Sequence, residues 1–474
     1  MPLPRNIYLL DPKKLNPETI AVAFAKTSRS PLSFRDIADE LSDEKSANFH
    51  EKWVVGYGHS SVAEHAVLHI AVENISRLAV ECLESNRLAS YTEKSSRYQI
   101  WDKEHFYIPE EFDNISVREE YIQTMHLLFD HYQESVKVVS SYLHEKEPKK
   151  PEESDRAFQQ RLRTRTADVC RYYLPASSLA NVGVSINARE LEHAIRKMLS
   201  SPLMEVRQIG AAVKIVAQEN VPTLVKYALE NPYLRESPDS FAGIVDAAQA
   251  DGAASDDWFK CITCDDSGES KVLAALLYRF SQMPFQNAYD FIKECPEKTR
   301  VKIAAMLLGR LSEHDIPLRE LEYATAGFDL VVDQGVYFEL KRHRMMTQTP
   351  QDLTVHLGFA LPKLLALAGL SEQFISDMHT AAALYNNISG KYPLAAGYVV
   401  PNAFNRRVLL QMNLRSAYHL FRLRTAPNAH FAIRRAVLRI AEELQRVFPL
   451  FAKYFKPDTG ENWRNLSIDY FDHT

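Results

Sequence analysis

Between Arg87 and Tyr98 the chain reads Arg-Leu-Ala-Ser-Tyr-Thr-Glu-Lys-Ser-Ser-Arg-Tyr, gathering hydroxyls, a carboxylate and two guanidiniums into one short stretch. Such a set suits a ligand that carries a phosphate and a hydrogen-bonding ring. Guanidiniums take phosphate oxygens in charge-assisted pairs, while hydroxyls and carboxylates read ring edges. An exposed polar loop has the same composition, so the segment alone decides nothing. Far downstream, Arg342-His343-Arg344 places two more cations around an imidazole. The plain reading of that triplet is a basic helix C-terminus complementing the backbone dipole. Upstream lie Gly58-His59-Ser60-Ser61 and Glu64-His65. Their spacing does not match the H-E-x-x-H or H-x-x-E-H patterns that set two imidazoles on one helix face, which argues against zinc. Cys261 and Cys264 form a C-x-x-C with no second ligand pair and no βαβ context. They read as two ordinary thiols in a loop.

The elements that position these residues occur twice. Leu68 to Glu73 alternates like a half-buried strand, and Ile75, Leu78, Ala79, Cys82 and Leu83 then recur at helical spacing towards Arg87. In the second half an extended segment around Tyr323 to Asp329 runs into a helical one through Val336 and Leu340 to Arg342-His343-Arg344, so that Arg87 and Arg344 hold matching places. Further on, Asn187-Ala188-Arg189 and Asn413-Leu414-Arg415 each open a helical pattern with a good N-cap. Amphipathic stretches follow from Ile209 to Val221 and from Ile433 to Val447, ending at Pro222 and Pro449. The expected organisation is two related domains, 1–235 and 258–474. Ser237-Pro238-Asp239-Ser240 and the Asp/Ala/Gly/Ser stretch after it mark 236–257 as linker. The Lys, Glu and Pro run from Glu145 to Asp155 reads as a solvated loop.

Composition narrows the class. The chain has 474 residues, 46% of them apolar and 25% charged, which fits a folded protein of two or three domains. A net charge of -5 gives no global field for a nucleic-acid polymer, so anion binding must be local. No apolar run is long enough for a membrane span, and the N-terminus lacks a signal-peptide pattern, so a cytoplasmic location is expected. Cys82, Cys170, Cys261, Cys264 and Cys295 are too few and too irregular for a disulfide framework.

Gly58-His59-x-Ser61, Glu64-His65, Ser76-Arg77 and the string from Arg87 to Tyr98 together resemble the signature region of flavin-dependent thymidylate synthases. That signature begins with Arg-His-Arg; the first half has Ser85-Asn86-Arg87 there, and the second half has Arg342-His343-Arg344. The nucleotide loop stands as Glu93, Ser95 and Arg97 in the first half, while Pro350, Asp352 and Thr354 fill those places in the second. The nucleotide-binding Arg ahead of Leu-Pro matches Arg171 before Leu174-Pro175, and its counterpart is Gly397 before Val400-Pro401. The Arg that polarises the uracil ring matches Arg424, opposite Met198. The losses are complementary, as in a fused pair keeping one composite site.

The resemblance implies an α/β (α+β) fold of two tandem domains forming an internal pseudo-dimer, and a homodimer of fused chains. It implies methylation of dUMP to dTMP with methylenetetrahydrofolate as carbon donor and electrons passing from NADPH through FAD. Arg424 would meet the charge that develops on the ring, as preorganised electrostatics require. Glu93, Lys94, Ser95, Ser96, Arg97, Arg171, Arg342 and Arg424 would bind dUMP. Ser61, Glu93, Asn187, Arg189, Arg342, His343, Arg344, Asn413, Arg415 and His419 would hold the flavin, with no metal. The cysteine-dependent mechanism is disfavoured, because no cysteine lies in a Pro-Cys-His or comparable setting. One departure bears on the substrate: Glu339 stands where the family has Gln, and a carboxylate there repels a nucleotide unless it is protonated or paired with Arg. A flavoenzyme acting on another uracil- or folate-like substrate, or a non-catalytic nucleotide-binding regulator, are the alternatives.

Overall fold

A computed structural model of the chain describes residues 6–28, 30–56, 60–249, 257–312, 314–456 and 460–472. Gly58 and His59 of the Gly-His-x-Ser motif lie outside the described residues. In chain order, the first repeat contains β1 (Val67–Ser76), α1 (Arg77–Glu84), β2 (Ala89–Glu93), α2 (Ile115–Lys146), α3 (Asp155–Cys170), β3 (Leu179–Asn187), α4 (Ala188–Leu199) and α5 (Met204–Gln218). Helix α6 (Pro232–Gln249) follows. The second repeat contains β4 (Phe259–Cys264), β5 (Thr325–Asp333), α7 (Gln334–Leu340), β6 (Thr347–Pro350), α8 (Ser371–Ser389), β7 (Asn405–Asn413), α9 (Leu414–Arg424) and α10 (Phe431–Val447). The fold is therefore mixed helix and sheet. Among the described residues no helix is long and apolar enough to cross a membrane.

The duplication shows in detail. β1 and β2 pair antiparallel with β3, and β5 and β6 pair antiparallel with β7; the second sheet adds β4 on the outer edge of β5. Val67 faces Asn187 in one sheet and Thr325 faces Asn413 in the other. Just beyond, the Ala188 N–H donates to the Ala66 carbonyl and the Leu414 N–H to the Ala324 carbonyl. The helices following the strands start from side-chain caps: Ser76 accepts from Ala79 N–H, Asn187 from Glu190, Asp333 from Val336 and Asn413 from Ser416. Each cap satisfies an amide that the first helical turn leaves unpaired.

Two compact units result, and their limits are not those of the repeats. Among the described residues, one unit takes those of Met1–Lys94, His105–Asp113 and Ser177–Ala253, and the other those of Ser95–Glu104, Asn114–Ala176 and Ala254–Thr474. The first unit packs β1, β2 and β3 against α1, α4 and α5, with Val80, Leu83, Val182, Ile186, Leu191, Ile195 and Val213 in its core. The second holds the larger sheet together with α2 and α3, which the chain supplies from the first repeat. Within that second unit, equivalent residues of the two repeats pair with each other: Pro175 bridges Pro401, the Ala176 N–H donates to Val400, and the Asn402 N–H donates to Leu174. Reciprocal pairing of matching positions is the mark of an isologous contact.

Three expectations are corrected. The segment expected as linker is largely helical, since α6 runs through Pro238 to Gln249; residues 250–256 lie outside the described set. Cys261 and Cys264 lie in strand β4 and not in a loop. Helix α7 stops at Leu340, so Arg342-His343-Arg344 occupies the turn after it. The stop has a visible cause: the Gln348 amide donates to the Leu340 and His343 carbonyls, capping the helix end from the neighbouring strand β6.

Candidate active site

Arg97 is fixed by the end of α3. Its Nε and a terminal nitrogen donate to both oxygens of Asp168 at 2.6 and 2.9 Å, and another terminal nitrogen donates to the Asn428 carbonyl at 3.1 Å. The Ser95 hydroxyl accepts the Arg97 N–H at 3.2 Å and so shapes the loop. On the other side of Asp168, His430 caps α10: its Nδ1 accepts the Ala432 N–H, which leaves Nε2 to donate to the Asp168 carbonyl at 3.0 Å. One ring nitrogen accepting and the other donating defines a neutral imidazole. Burial at 1% exposure, reinforced by Arg171, pushes its pKa well below the usual histidine range.

Glu339, on the last turn of α7, is the centre of the cluster. Its Oε2 accepts from an Arg424 terminal nitrogen at 2.6 Å, and its Oε1 lies 4.0 Å from an Arg171 terminal nitrogen. Burial works to raise its pKa, but Arg171, Arg424, Arg342 and Arg97 outweigh it and hold the carboxylate below its ordinary value. Arg424 is held at a second point, its Nε donating to His343 Nε2 at 2.8 Å. Burial, then Arg424, His419 and Arg342, drop the His343 pKa to about 3, so this ring too is neutral and acts as an acceptor. Arg171 is 4% exposed, and its Nε and one terminal nitrogen are buried with no hydrogen-bond partner among the described residues. That guanidinium lies against Gly335, where a Cβ would come within 3.3 Å of it, and beside Asp333. Burial lifts the Asp333 pKa to about 6, against the pull of Arg171 and of Val336 and Tyr172, which hydrogen-bond its carboxylate.

Four guanidiniums thus stand against the three carboxylates of Glu339, Asp168 and Asp333, leaving an excess of positive charge suited to a phosphate monoester. The residues come from both repeats yet sit in one compact unit. The model of the thymidylate synthase complementing protein family matches residues 9–223 and again 264–450. The chain belongs to this family. The family domain occurs in it twice, as the repeated strand pairing requires. A UPF0159 protein of Chlamydia muridarum is 30% identical over 93% of this chain and 90% of its own length. A flavin-dependent thymidylate synthase of Clostridium tetani is 28% identical over 45% of this chain and 82% of its own length. Among solved structures, the flavin dependent thymidylate synthase ThyX of Helicobacter pylori, complexed with FAD and dUMP, is 20% identical over 45% of this chain and 96% of its own, with a TM-score of 0.31.

The other residues singled out on family grounds are distributed as follows. Arg342 is exposed and Arg344 partly exposed in the turn after α7, and the His419 ring is 5.8 Å from that of His343. Ser96 is buried beside Ser95. Asn413 caps α9, and Arg415 donates to Glu322 at 2.8 Å and to the Pro317 carbonyl. In the first unit Asn187 caps α4, and Arg189 pairs with Glu64 in the same manner. Glu93 is buried against Arg77 at 3.4 Å; Lys94 donates its N–H to the Asn181 carbonyl, and Ser61 is exposed in the short 3-10 helix Ser60–His65 before β1. The Asn-x-Arg elements therefore have structural partners in both repeats. Asp168, Asp333 and His430 escaped the sequence reading; Asp333 and His430 gave a local signal, each as a cap at the start of a helix. Burial raises the thiol pKa of Cys82, Cys170 and Cys261, so none of these three is an activated nucleophile.

Proposed function

We propose that the arginine cluster around Glu339 binds dUMP and that the chain is a flavin-dependent thymidylate synthase, converting dUMP to dTMP with methylenetetrahydrofolate and NADPH. The observation that carries this reading is that Glu339 of the second repeat meets Arg171 of the first at 4.0 Å and Arg424 of its own at 2.6 Å, with Arg342 and Arg97 adding to the charge that stabilises it. The two buried, unpartnered donors of Arg171 fit an oxygen-rich ligand. Arg424 would meet the negative charge that grows on the uracil ring, and Glu339 and His343 would hold it in place for that task. Glu339 is paired with arginines, which removes the repulsion that an isolated carboxylate would exert on a nucleotide.

For the flavin, the fit rests on the turn Lys341 to Met346. Arg342 and Arg344 flank the neutral His343 there, a cationic edge suited to a pyrophosphate. FAD bound there would supply the electrons that reduce the transferred one-carbon unit to a methyl group. The test is twofold. Arg342→Ala with Arg344→Ala should abolish the flavin absorbance of the purified protein, and the wild-type gene should let a bacterium lacking thymidylate synthase grow without thymidine. Flavin binding without complementation would redirect the reading to a flavoenzyme with another uracil- or folate-like substrate. No flavin and no complementation would favour a nucleotide-binding regulator.

A further inference from the structure

The C-x-x-C on β4 is a motif that the proposed reaction leaves unused. In a regular strand, residues three apart point to opposite faces. β4 is not regular: Cys261 pairs with Phe328 and Thr263 with Gly327, so the three steps from Cys261 to Cys264 cover only two on β5, from Phe328 to Ala326. Ile262 is the extra residue of this bulge and is exposed. Paired residues share a face, and Ala326, Phe328 and Leu330 are all buried. Cys261 and Cys264 therefore lie on one face, separated by two strand steps, or about 6.8 Å between their Cα atoms. That is the upper edge of the span a disulfide bridges. The Cys264 thiol is near enough to raise the Cys261 pKa, Cys261 Sγ donates to the Thr263 carbonyl at 3.8 Å, and both thiols remain partly exposed. Gly327 secures the bulge, because a side chain there would collide with Thr263 Oγ1 and Gln411 Oε1, which meet above it at 3.2 Å.

We propose that Cys261 and Cys264 form a reversible dithiol–disulfide pair, oxidised by exchange with a small-molecule disulfide of the glutathione type. The Cys264 sulfur, as thiolate, attacks one sulfur of the oxidised glutathione; the released glutathione thiolate takes up the proton. The Cys261 sulfur then attacks Cys264 Sγ in the mixed disulfide, and the second glutathione leaves with the Cys261 proton. Two protein thiols are oxidised and one glutathione disulfide is reduced to two thiols. Burial, then Cys264 and Glu443, push the Cys261 thiol up to about 12, and capping Cys264 as the mixed disulfide removes that neighbour's share. A bridge at the limit of the permitted span is the labile kind, readily reduced again. Among the described residues no group of three or more His, Cys, Asp or Glu could hold a metal, so the pair has no metal site to complete.

The test uses the full-length protein in a series of reduced and oxidised glutathione mixtures, quenched with acid and alkylated after unfolding. The expected result is that two thiols disappear together, that the intact mass falls by two hydrogens, and that a digest yields one peptide linked between Cys261 and Cys264. Cys261→Ser should instead accumulate a glutathione adduct on Cys264. Two free thiols at the most oxidising mixture, or a stable glutathione adduct on the wild-type protein, would overturn the proposal. Circular dichroism of Cys261→Ser matching the wild type excludes misfolding as the cause of its adduct.

Discussion

Glu339 and its arginines depend on one another, because a buried charge without a partner is costly. Glu339→Gln keeps an acceptor for Arg424 but leaves the guanidiniums uncompensated. The expected outcome is a loss of ~3 kcal/mol in urea unfolding together with dUMP binding tighter by roughly tenfold. Unchanged dUMP affinity in a titration would move the phosphate site elsewhere. His430 and His343 set an acid limit on the fold. Both have folded pKa values below the unfolded value of about 6.5, His343 at about 3. Their contribution is full above the unfolded pKa and is lost as pH falls below it, at ~1.4 kcal/mol per pH unit for each ring. His430→Asn keeps a capping oxygen and a donor for the Asp168 carbonyl. It should therefore flatten the fall of melting temperature between pH 7 and pH 5. The same slope in variant and wild type would place the titration on other groups.

At the scale of elements, the caps separate architecture from ligand binding. Asn187 and Asn413 hold matching positions at the starts of α4 and α9. Asn187→Ala and Asn413→Ala should each cost ~1 kcal/mol of stability, measured by denaturant titration. Only Asn413→Ala should also reduce bound flavin, since Asn413 shares a compact unit with Arg342 and His343. Equal flavin loss from both variants would mean that each repeat carries its own flavin site. The strand-to-helix switches after Glu73 and after Asp329 were legible because an extended pattern changes to helical spacing there, while the caps Ser76 and Asp333 emerge from the structure. The end of α7 was not legible, because Gln348 imposes it from another strand. The bulge in β4 was equally hidden, since it is a matter of register against β5.

For the whole molecule, the site's inventory predicts a stoichiometry. One set of Arg-His-Arg and one nucleotide loop per chain should bind one FAD per chain, read from absorbance against protein concentration, in a particle whose mass in solution is that of a homodimer. Two FAD per chain would show that Ser85-Asn86-Arg87 still works as a half-site. The second compact unit draws α2, α3 and the loop of Arg97 from the first repeat, which a boundary placed by composition between 236 and 257 does not foresee. Composition marks where a chain is polar, and not which of its helices pack together.

The sequence by itself determined the duplication and the strand–helix order of each repeat, because periodicity and capping are local and written along the chain. Only the tertiary structure decided how the site residues are used. Asp168 takes up Arg97 from 71 positions away, Glu339 bridges Arg171 and Arg424, and His430 and His343 are kept neutral by burial. Coulomb energy and desolvation depend on distance in space and on exclusion of water, and neither has a signature in sequence spacing.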